Sequence, residues 1–375
     1  MLLLLGLGLI GLLAAFGPAW GGIAGLFVIG GVIGASWYSF AWHGFLLDPI
    51  YPAIAAVLVF LSSSVLSYLV TERQRRRLRN AFSHYVSDDL VSTLIALPDS
   101  ELGLGGETRE ISVLISDIRN FTGISERLDA STLTQLINRF LTPMADIIME
   151  KDGTIDKFMG DAVMAFWNAP LVDSLHAKKS CLSALAMQER LQPLNAELAE
   201  FQPDDGGLPI ELRIGIGIAT GECCVGNFGS EQRFDYSVIG DTVNLASRLE
   251  GMTKLYGVGC VVSEATHEVA ADLAMIELDL VRVVGKTRPV RIFALLGDEV
   301  RAQDPDFLGL KAAQGDMLRH YRAMDWEGAR QKLALCRATA PFLERLFNVY
   351  QDRIDKLSAE SALPEWDGVY DALSK

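Results

Sequence analysis

The amino-acid sequence predicts an α+β domain of the ferredoxin-like kind in the middle of the chain. An apolar strand over 110–117 precedes an amphipathic helix over 131–149, whose apolar side chains recur every three or four residues. Two short apolar strands, predicted over 154–159 and 162–167, then flank Gly160-Asp161, which is a strong hairpin signal. A helix near 176–200 and a strand over 210–218 complete the order β-α-β-β-α-β, which is typical of this fold.

The first 70 residues have the composition of membrane helices. They contain one carboxylate and one histidine, but no lysine or arginine. Their apolar runs cover roughly 2–16, 21–40 and 52–70, and about 20 apolar residues span a bilayer. A signal peptide is the alternative for the first run, but no basic residue precedes it. The sequence therefore predicts about three transmembrane helices within residues 1–71, and a lipid bilayer as a partner.

Five arginines between Glu72 and Arg79 follow the last apolar run. Because basic residues beside a span stay on the cytoplasmic side, we expect a multi-pass protein with its N-terminus outside and the rest of the chain in the cytoplasm. A net charge of −14 argues against nucleic acid as a partner. Beyond the membrane region we predict a helical linker (72–107), the α+β domain (108–297) and a helical C-terminal extension (298–375).

Two aspartates of the α+β domain are candidates for metal binding. Asp117 lies near the end of an apolar strand, where a carboxylate is costly to bury unless it is paired or binds a metal. Asp161 lies in the hairpin turn, although aspartate is also an ordinary turn residue. Together the two can share hard cations, which prefer oxygen ligands. With Lys157 on the same hairpin, they form a candidate two-metal phosphate site.

The helix predicted from Asp241 to about 255 carries a second pair of polar residues. Asn244 and Arg248 are four residues apart and share a face. An amide beside a guanidinium can hold the charge that develops on a phosphoryl group and a ribose oxygen. An ordinary polar helix face is the alternative on these residues alone. The five histidines are dispersed, and the five cysteines contain no C-x-x-C, as expected for free thiols in a reducing cytoplasm.

Three segments resemble the signatures of class III nucleotide cyclases, and the resemblance covers roughly residues 108–297. They are Ser116-Asp-Ile-Arg-Asn-Phe-Thr122, Lys157-Phe-Met-Gly-Asp161 and Phe234-Asp-Tyr-Ser-Val-Ile-Gly-Asp-Thr-Val-Asn-Leu-Ala-Ser-Arg-Leu-Glu250. Their order and spacing also agree with the family. The resemblance implies an adenylate cyclase, a phosphorus-oxygen lyase that converts ATP to 3′,5′-cyclic AMP and diphosphate in intracellular signal transduction.

The resemblance also implies roles for the metal-binding and catalytic residues. Asp117 and Asp161, with the backbone carbonyl of Ile118, would hold two Mg²⁺ or Mn²⁺ ions per site. Asn244 would orient the ribose, and Arg248 would stabilise the transition state. In the family, one site takes residues from both subunits, so a homodimer through the catalytic domain is implied.

The substrate-binding residues follow from the same resemblance. Lys157 and Ser237 would read the adenine ring, and Arg213 would bind phosphate. Phe121 and Thr122 belong to the first signature and are included with them. The family usually has a phosphate-binding lysine where this chain has Val284, and Lys286 is the candidate to replace it. Ser237 differs from the acidic residue of animal adenylate cyclases, but a hydroxyl suits adenine, as in the bacterial subgroup with Thr or Ser.

The membrane region, the arginine run and the tail resemble bacterial CHASE2-linked adenylate cyclases, which implies the inner (plasma) membrane of a bacterium. The extracytoplasmic sensor of those proteins is absent from this sequence, since Met1 almost begins the first apolar run. A guanylate cyclase is one alternative, although it would need an acidic residue in place of Lys157. A catalytically silent signalling module is another, and it would be expected to lose residues such as Asp117 or Arg248, which this chain retains.

Overall fold

A computed structural model describes residues 105–199, 210–230, 233–283, 288–359 and 366–372, together with 26–69 except for gaps at 28, 46–47, 56, 63–64 and 66–68. Contacts divide the chain into two compact units, Met1–His84 and Tyr85–Lys375. Each unit is described by itself. The domain boundaries that the sequence predicts at 107 and 297 stay predictions.

The described part of the first unit is helical over 29–43 and over most of 50–62. Many of its large apolar side chains are exposed, among them Trp37 at 70% and Trp42 at 75%. Among the residues that the structure describes, no helix has the length and apolar character needed to cross a bilayer. The described residues therefore do not support the three predicted spans, and the first of the predicted apolar runs, 2–16, lies outside them.

The second unit is built on one large mixed sheet. Its described strands are β1 (Gly105–Ile118), β2 (Thr154–Met159), β3 (Ala162–Trp167), β4 (Ile214–Ser230), β5 (Arg233–Ile239), β6 (Cys260–Ser263), β7 (Ala274–Val283), β8 (Val290–Gly297) and β9 (Tyr370–Ala372). Their order across the sheet is β2-β3-β1-β4-β6-β8-β7-β9, and β5 pairs with β4.

Helices pack on both faces of this sheet and enclose two apolar cores. The described helices of this unit are α1 (Phe121–Ser125), α2 (Ala130–Glu150), α3 (His176–Ala199), α4 (Asp241–Tyr256), α5 (Glu264–Val269), α6 (Glu299–Ala302), α7 (Pro305–Arg322), α8 (Trp326–Thr339) and α9 (Glu344–Ala359), with a 3₁₀ turn at Pro341–Leu343. Alternate residues of β1 point to opposite faces, so Val113 packs in the core under α4 and Leu114 in the core under α2 and α3.

The predicted fold class is confirmed by the order of the first four strands. β1 lies between β3 and β4 and is antiparallel to both, and β2 pairs with β3 at the edge. This is the split β-α-β arrangement of ferredoxin-like folds. The hairpin strands β2 and β3 also have the bounds that the sequence predicts.

Strand β4 is longer than predicted and continues to Ser230, where it forms a hairpin with β5. The extra length is rich in glycine, which hides the strand pattern in the sequence. Gly226 shows why glycine is needed: a Cβ there would lie 2.1 Å from the backbone oxygen of Gly105 on the neighbouring strand. Glycine therefore permits the close approach of β1 and β4 at this position.

The C-terminal extension packs directly on this sheet. Besides the predicted helices it supplies β9, which pairs in parallel with β7. Arg353 on α9 forms an ion pair of 2.6 Å with Asp279 on β7, and their side chains are 14% and 2% exposed. The Tyr256 hydroxyl donates to the same carboxylate at 2.7 Å, and the Arg353 guanidinium lies 3.8 Å from the ring centre of Tyr370. Since a buried charge is tolerated only when it is paired, these contacts tie the extension to the sheet.

Candidate active site

The predicted metal ligands Asp117 and Asp161 lie side by side. Asp117 is the second-last residue of β1, and Asp161 lies in the turn between β2 and β3. The antiparallel pairing of Ser116 with Val163 brings the end of β1 next to this turn. Gly160 adopts a φ of 70°, which a glycine tolerates at no steric cost, so the turn can be tight. Sheet register thus brings two carboxylates together that are far apart in sequence.

The two carboxylates lie close enough for each to affect the charge of the other. The pKa of Asp161 is raised to about 6, first by burial and then by the hydrogen bond and the charge of Asp117. The backbone N–H of Ile118 opposes this rise by donating a hydrogen bond to Asp161. Among the described residues, Oδ2 of Asp161 is buried without a hydrogen-bond partner. A proton or a cation held between the carboxylates would relieve their repulsion.

These residues fit a hard divalent cation. Within the part of the chain that the structure describes, no cluster of three or more His, Cys, Asp or Glu side chains could hold a metal ion. A site with only two carboxylates still suits Mg²⁺, which usually binds one or two carboxylates and takes further oxygens from substrate phosphates and water. The orphaned oxygen of Asp161 offers such a ligand.

Two residues that sequence reasoning missed lie beside this pair. Burial raises the pKa of Glu250 on α4 to about 7; the Arg119 guanidinium counters this rise, and the charges of Asp117 and Asp161 add to it. Arg119 also donates a hydrogen bond to the Thr253 hydroxyl on α4. Glu250 lies two positions after Arg248 in the sequence. It lies beside the aspartates only because α4 packs on the sheet, and no local sequence pattern predicts that packing.

The predicted base-reading residues Lys157 and Ser237 also come together, through a third residue. Ser237 on β5 donates to Oδ2 of Asp156 at 2.8 Å, and Lys157 Nζ lies 3.1 Å from the other oxygen of the same carboxylate. Asp156 is buried, whereas the Lys157 side chain is 48% exposed and can reach a ligand. Sequence reasoning missed Asp156, although a charged residue within the apolar strand beside Lys157 was a usable signal.

Arg213 immediately precedes β4, which pairs with the strand that carries Asp117. Its backbone oxygen accepts a hydrogen bond of 2.7 Å from the Arg119 N–H. Its side chain is 72% exposed and pairs with Glu211 at 2.9 Å, and hydrogen bonding to Glu211 raises the pKa of Arg213. Phe121 is half-buried and Thr122 exposed at the start of α1.

Asn244 and Arg248 lie on α4, with Asn244 exposed and Arg248 partly exposed. Neither side chain forms a hydrogen bond or an ion pair with another described residue. The helix beneath them sits unusually close to β4, because a Cβ at Gly217 would lie 2.1 Å from the backbone oxygen of Ala246. Both side chains are therefore held on a rigid support and remain available for a ligand.

Lys286 lies outside the described residues, so its predicted role stays a prediction. Among the other site residues, contacts join Asp117 to Asp161 and, through Asp156, Lys157 to Ser237. Asn244 and Arg248 belong to neither of these two groups. No hydrogen bond or ion pair between described residues joins these groups.

Residues 106–297 match the family model described as the adenylate and guanylate cyclase catalytic domain. The match covers about half of the 375 residues, and the chain belongs to this family. The resemblance that the three signatures carry is thereby confirmed.

The chain is similar to an adenylate cyclase of Rhizobium meliloti (strain 1021), with 34% identity over 245 residues that cover 63% of this chain and 35% of that protein. It therefore spans about a third of the length of this curated relative. Two solved structures are also similar, the adenylyl cyclase CyaB from P. aeruginosa and the guanylyl cyclase Cya2. Each is 35% identical to this chain over 52% of its length, with a TM-score of 0.47. The similar region covers 97% of the CyaB chain and 95% of the Cya2 chain.

Proposed function

We propose that this protein is an adenylate cyclase that converts ATP to 3′,5′-cyclic AMP and diphosphate in intracellular signal transduction. The contact between Asp117 and Asp161 carries the proposal, because it joins two carboxylates and a buried, unpartnered oxygen at the end of β1. The identity of 34% to the Rhizobium meliloti adenylate cyclase supports the same reaction. In that reaction the ribose 3′ oxygen attacks the α-phosphorus of ATP, and diphosphate leaves.

In this proposal Asp117, Asp161 and the backbone carbonyl of Ile118 hold two Mg²⁺ or Mn²⁺ ions. Such ions, when bound, lower the pKa of the ribose 3′-hydroxyl and neutralise charge on the leaving diphosphate. Ile118 is buried next to Asp117, so the main chain at this point is firmly held. Glu250 and Arg119 lie beside the aspartates and set the local charge.

The chain's other site residues orient the nucleotide. Arg248 places its guanidinium against the charge that develops on the phosphoryl group, and Asn244 directs the ribose. Arg213 binds the phosphates of the nucleotide, which replace Glu211 as the partner of its guanidinium group. No protein nucleophile is needed, because the attacking oxygen belongs to the substrate.

In this proposal the side chains of Lys157 and Ser237 select adenine over guanine. A lysine donates a hydrogen bond to N1 of adenine, whereas guanine carries an N–H there and requires an acceptor. Asp156 supports this choice, since it accepts from Ser237 and pairs with Lys157, and so holds both side chains on one surface.

Purified protein supplied with Mn²⁺ is expected to form cyclic AMP from ATP faster than cyclic GMP from GTP. The Lys157→Glu variant should lower kcat/KM for ATP by at least about 100-fold, because a hydrogen-bond donor to the base is lost and a like charge is placed beside Asp156. Lys311→Glu, which reverses the charge of an exposed lysine on α7, is the matched control and should retain the wild-type rate. A Lys157→Glu enzyme that turns over ATP as well as wild type would show that Lys157 does not read the base.

We further propose a homodimer through the catalytic domain. A single chain carries both groups of site residues, and two-fold symmetry would place the aspartates of each copy opposite the partner subunit's Lys157 and the partner subunit's Arg248. Exposed apolar side chains on the strands that carry these residues support an interface: Phe158 and Met159 are 47% and 46% exposed, and Ile239 is 56% exposed.

We also propose that the chain is a multi-pass protein of the bacterial inner (plasma) membrane with its catalytic domain in the cytoplasm. Exposed tryptophans in the described part of the first unit and the five arginines after residue 72 support this location. A reporter fused after residue 100 should then be cytoplasmic, and one fused at residue 1 should lie outside. A cytoplasmic N-terminus would mean that the first apolar run does not span the membrane.

A further inference from the structure

The helix that carries Asn244 and Arg248 contacts both the sheet and the C-terminal extension. Against the sheet, α4 lies so close to β4 that a Cβ at Gly217 would be 2.3 Å from the backbone nitrogen of Glu250. Against the extension, α4 packs on α9, and side chains of both helices belong to one apolar core. The extension can therefore determine where α4 lies.

Arg345 of α9 contacts the last turn of α4. Its Nε donates a hydrogen bond of 3.3 Å to the backbone oxygen of Leu255. The last carbonyls of a helix have no partner within the helix, and a cation beside them is favourable. Gly257 ends α4 with a φ of 69°, and a Cβ there would lie 2.6 Å from the Cβ of Arg345. Glycine at this position thus allows α9 to approach the end of α4 closely.

A buried network joins the same end of α4 to α9 and β7. The Tyr256 hydroxyl donates to Oδ2 of Asp279 at 2.7 Å, and the Arg353 guanidinium donates to the same oxygen at 2.6 Å. The backbone N–H of Leu280 donates to the other oxygen at 2.8 Å. Tyr256 is fully buried, and the side chain of Asp279 is 2% exposed. One carboxylate therefore holds α4 and α9 at the same point of the sheet.

Stability alone does not account for this network. Removing two charges from water is costly, so apolar side chains of similar volume often replace a buried ion pair without loss of stability. Hydrogen bonds differ from apolar contacts in that they require a particular length and direction. A buried network whose members are all satisfied specifies a single arrangement of the elements that it joins. Here those elements are α4, α9 and β7.

We propose that Tyr256, Asp279 and Arg353 are positioning residues, through which the C-terminal extension fixes α4 and with it Arg248. The inference rests on the proposed function, from which the role of Arg248 is taken. Arg248 lies about 12 Å from Tyr256 along the helix, at a rise of about 1.5 Å per residue. A shift at the end of α4 therefore reaches Arg248 through the helix. Misplacement of a catalytic group by about 1 Å can lower a rate about 100-fold.

Steady-state cyclic AMP formation by the full chain tests the proposal. Tyr256→Phe keeps the buried ring and removes the hydrogen bond by which α4 is held. We expect kcat to fall about 10-fold, because Arg248 acts in the transition state. KM for ATP should not change, because the proposed base and phosphate ligands Lys157 and Arg213 lie outside α4.

A triple variant separates positioning from folding. Tyr256→Phe, Asp279→Val and Arg353→Met together leave no buried charge without a partner, so the protein should melt at the wild-type temperature or higher. Its kcat should nevertheless fall about 100-fold. The matched control combines Arg330→Met with Asp355→Val, which removes an exposed ion pair of 3.0 Å between α8 and α9, and should keep the wild-type kcat.

Hydrogen exchange of the same proteins measures how firmly α4 is held, without turnover. Amides of α4 should exchange faster in Tyr256→Phe and in the triple variant than in the wild type, but not in the control. Wild-type kcat in Tyr256→Phe, or unchanged exchange of α4 in that variant, would overturn the proposal. A wild type that forms no cyclic AMP would instead contradict the proposed function, and the exchange result would still decide whether the network holds α4.

Discussion

Replacing Asp161 with alanine is expected to lower ATP turnover by at least about 100-fold, because even loss of an outer partner of a metal ligand costs about 10- to 100-fold. Asp117→Ala should have an effect of the same size, since the two carboxylates form one site. The measurement is the rate of cyclic AMP formation at saturating Mn²⁺. Substantial activity of either variant under these conditions would contradict the two-metal assignment.

Stability separates this functional role from a structural one. A carboxyl whose pKa is raised in the folded state ionises less readily there than in the unfolded chain, so ionised Asp161 destabilises the metal-free fold at neutral pH. Asp161→Asn keeps the shape and removes the charge, and should therefore melt at the same temperature as the metal-free wild type or higher. Added Mn²⁺ should raise the melting temperature of the wild type but not that of Asp161→Asn. Asp146→Ala, at an exposed position on α2, is the control and should retain activity.

The sequence predicts those parts of the fold that local patterns specify. The hairpin β2–β3 has the predicted bounds because Gly160-Asp161 between two apolar runs is a local turn signal. The aspartate pair could be predicted because a carboxylate in an apolar strand is costly to bury unless it is paired or binds a metal. The pairing of β1 with β3 places Asp161 beside Asp117. Family signatures then add roles that no local pattern contains.

The features that the sequence does not predict depend on contacts between distant segments. The sequence does not reveal the hairpin of β4 and β5, because glycines interrupt the strand pattern of β4. These glycines allow backbones to approach closely, as Gly226 approaches β1. Asp156 acquires its place by accepting a hydrogen bond from Ser237, 81 residues away. The attachment of the C-terminal extension depends on the buried pair Asp279 and Arg353, which lie 74 residues apart. Contacts between residues so far apart produce no periodic pattern in the sequence from which they could be predicted.

In the proposed homodimer, each catalytic site takes its aspartates from one subunit and its transition-state arginine from the other. A homodimer of Asp117→Ala then has a lesion in both sites, and so has a homodimer of Arg248→Ala. A mixed dimer of these two variants has both lesions in one site and none in the other. Two inactive proteins should thus form an active one when they are mixed.

The decisive measurement is cyclic AMP formation by an equimolar mixture of Asp117→Ala and Arg248→Ala, with heterodimers verified by two different affinity tags. A mixture of Asp117→Ala with Asp161→Ala is the matched control, because both lesions belong to the same half of the site and every site of that heterodimer is damaged. The shared-site account predicts activity of up to about half that of the wild-type dimer per heterodimer in the first mixture and none in the control. No recovery in the first mixture, despite verified heterodimers, would contradict it.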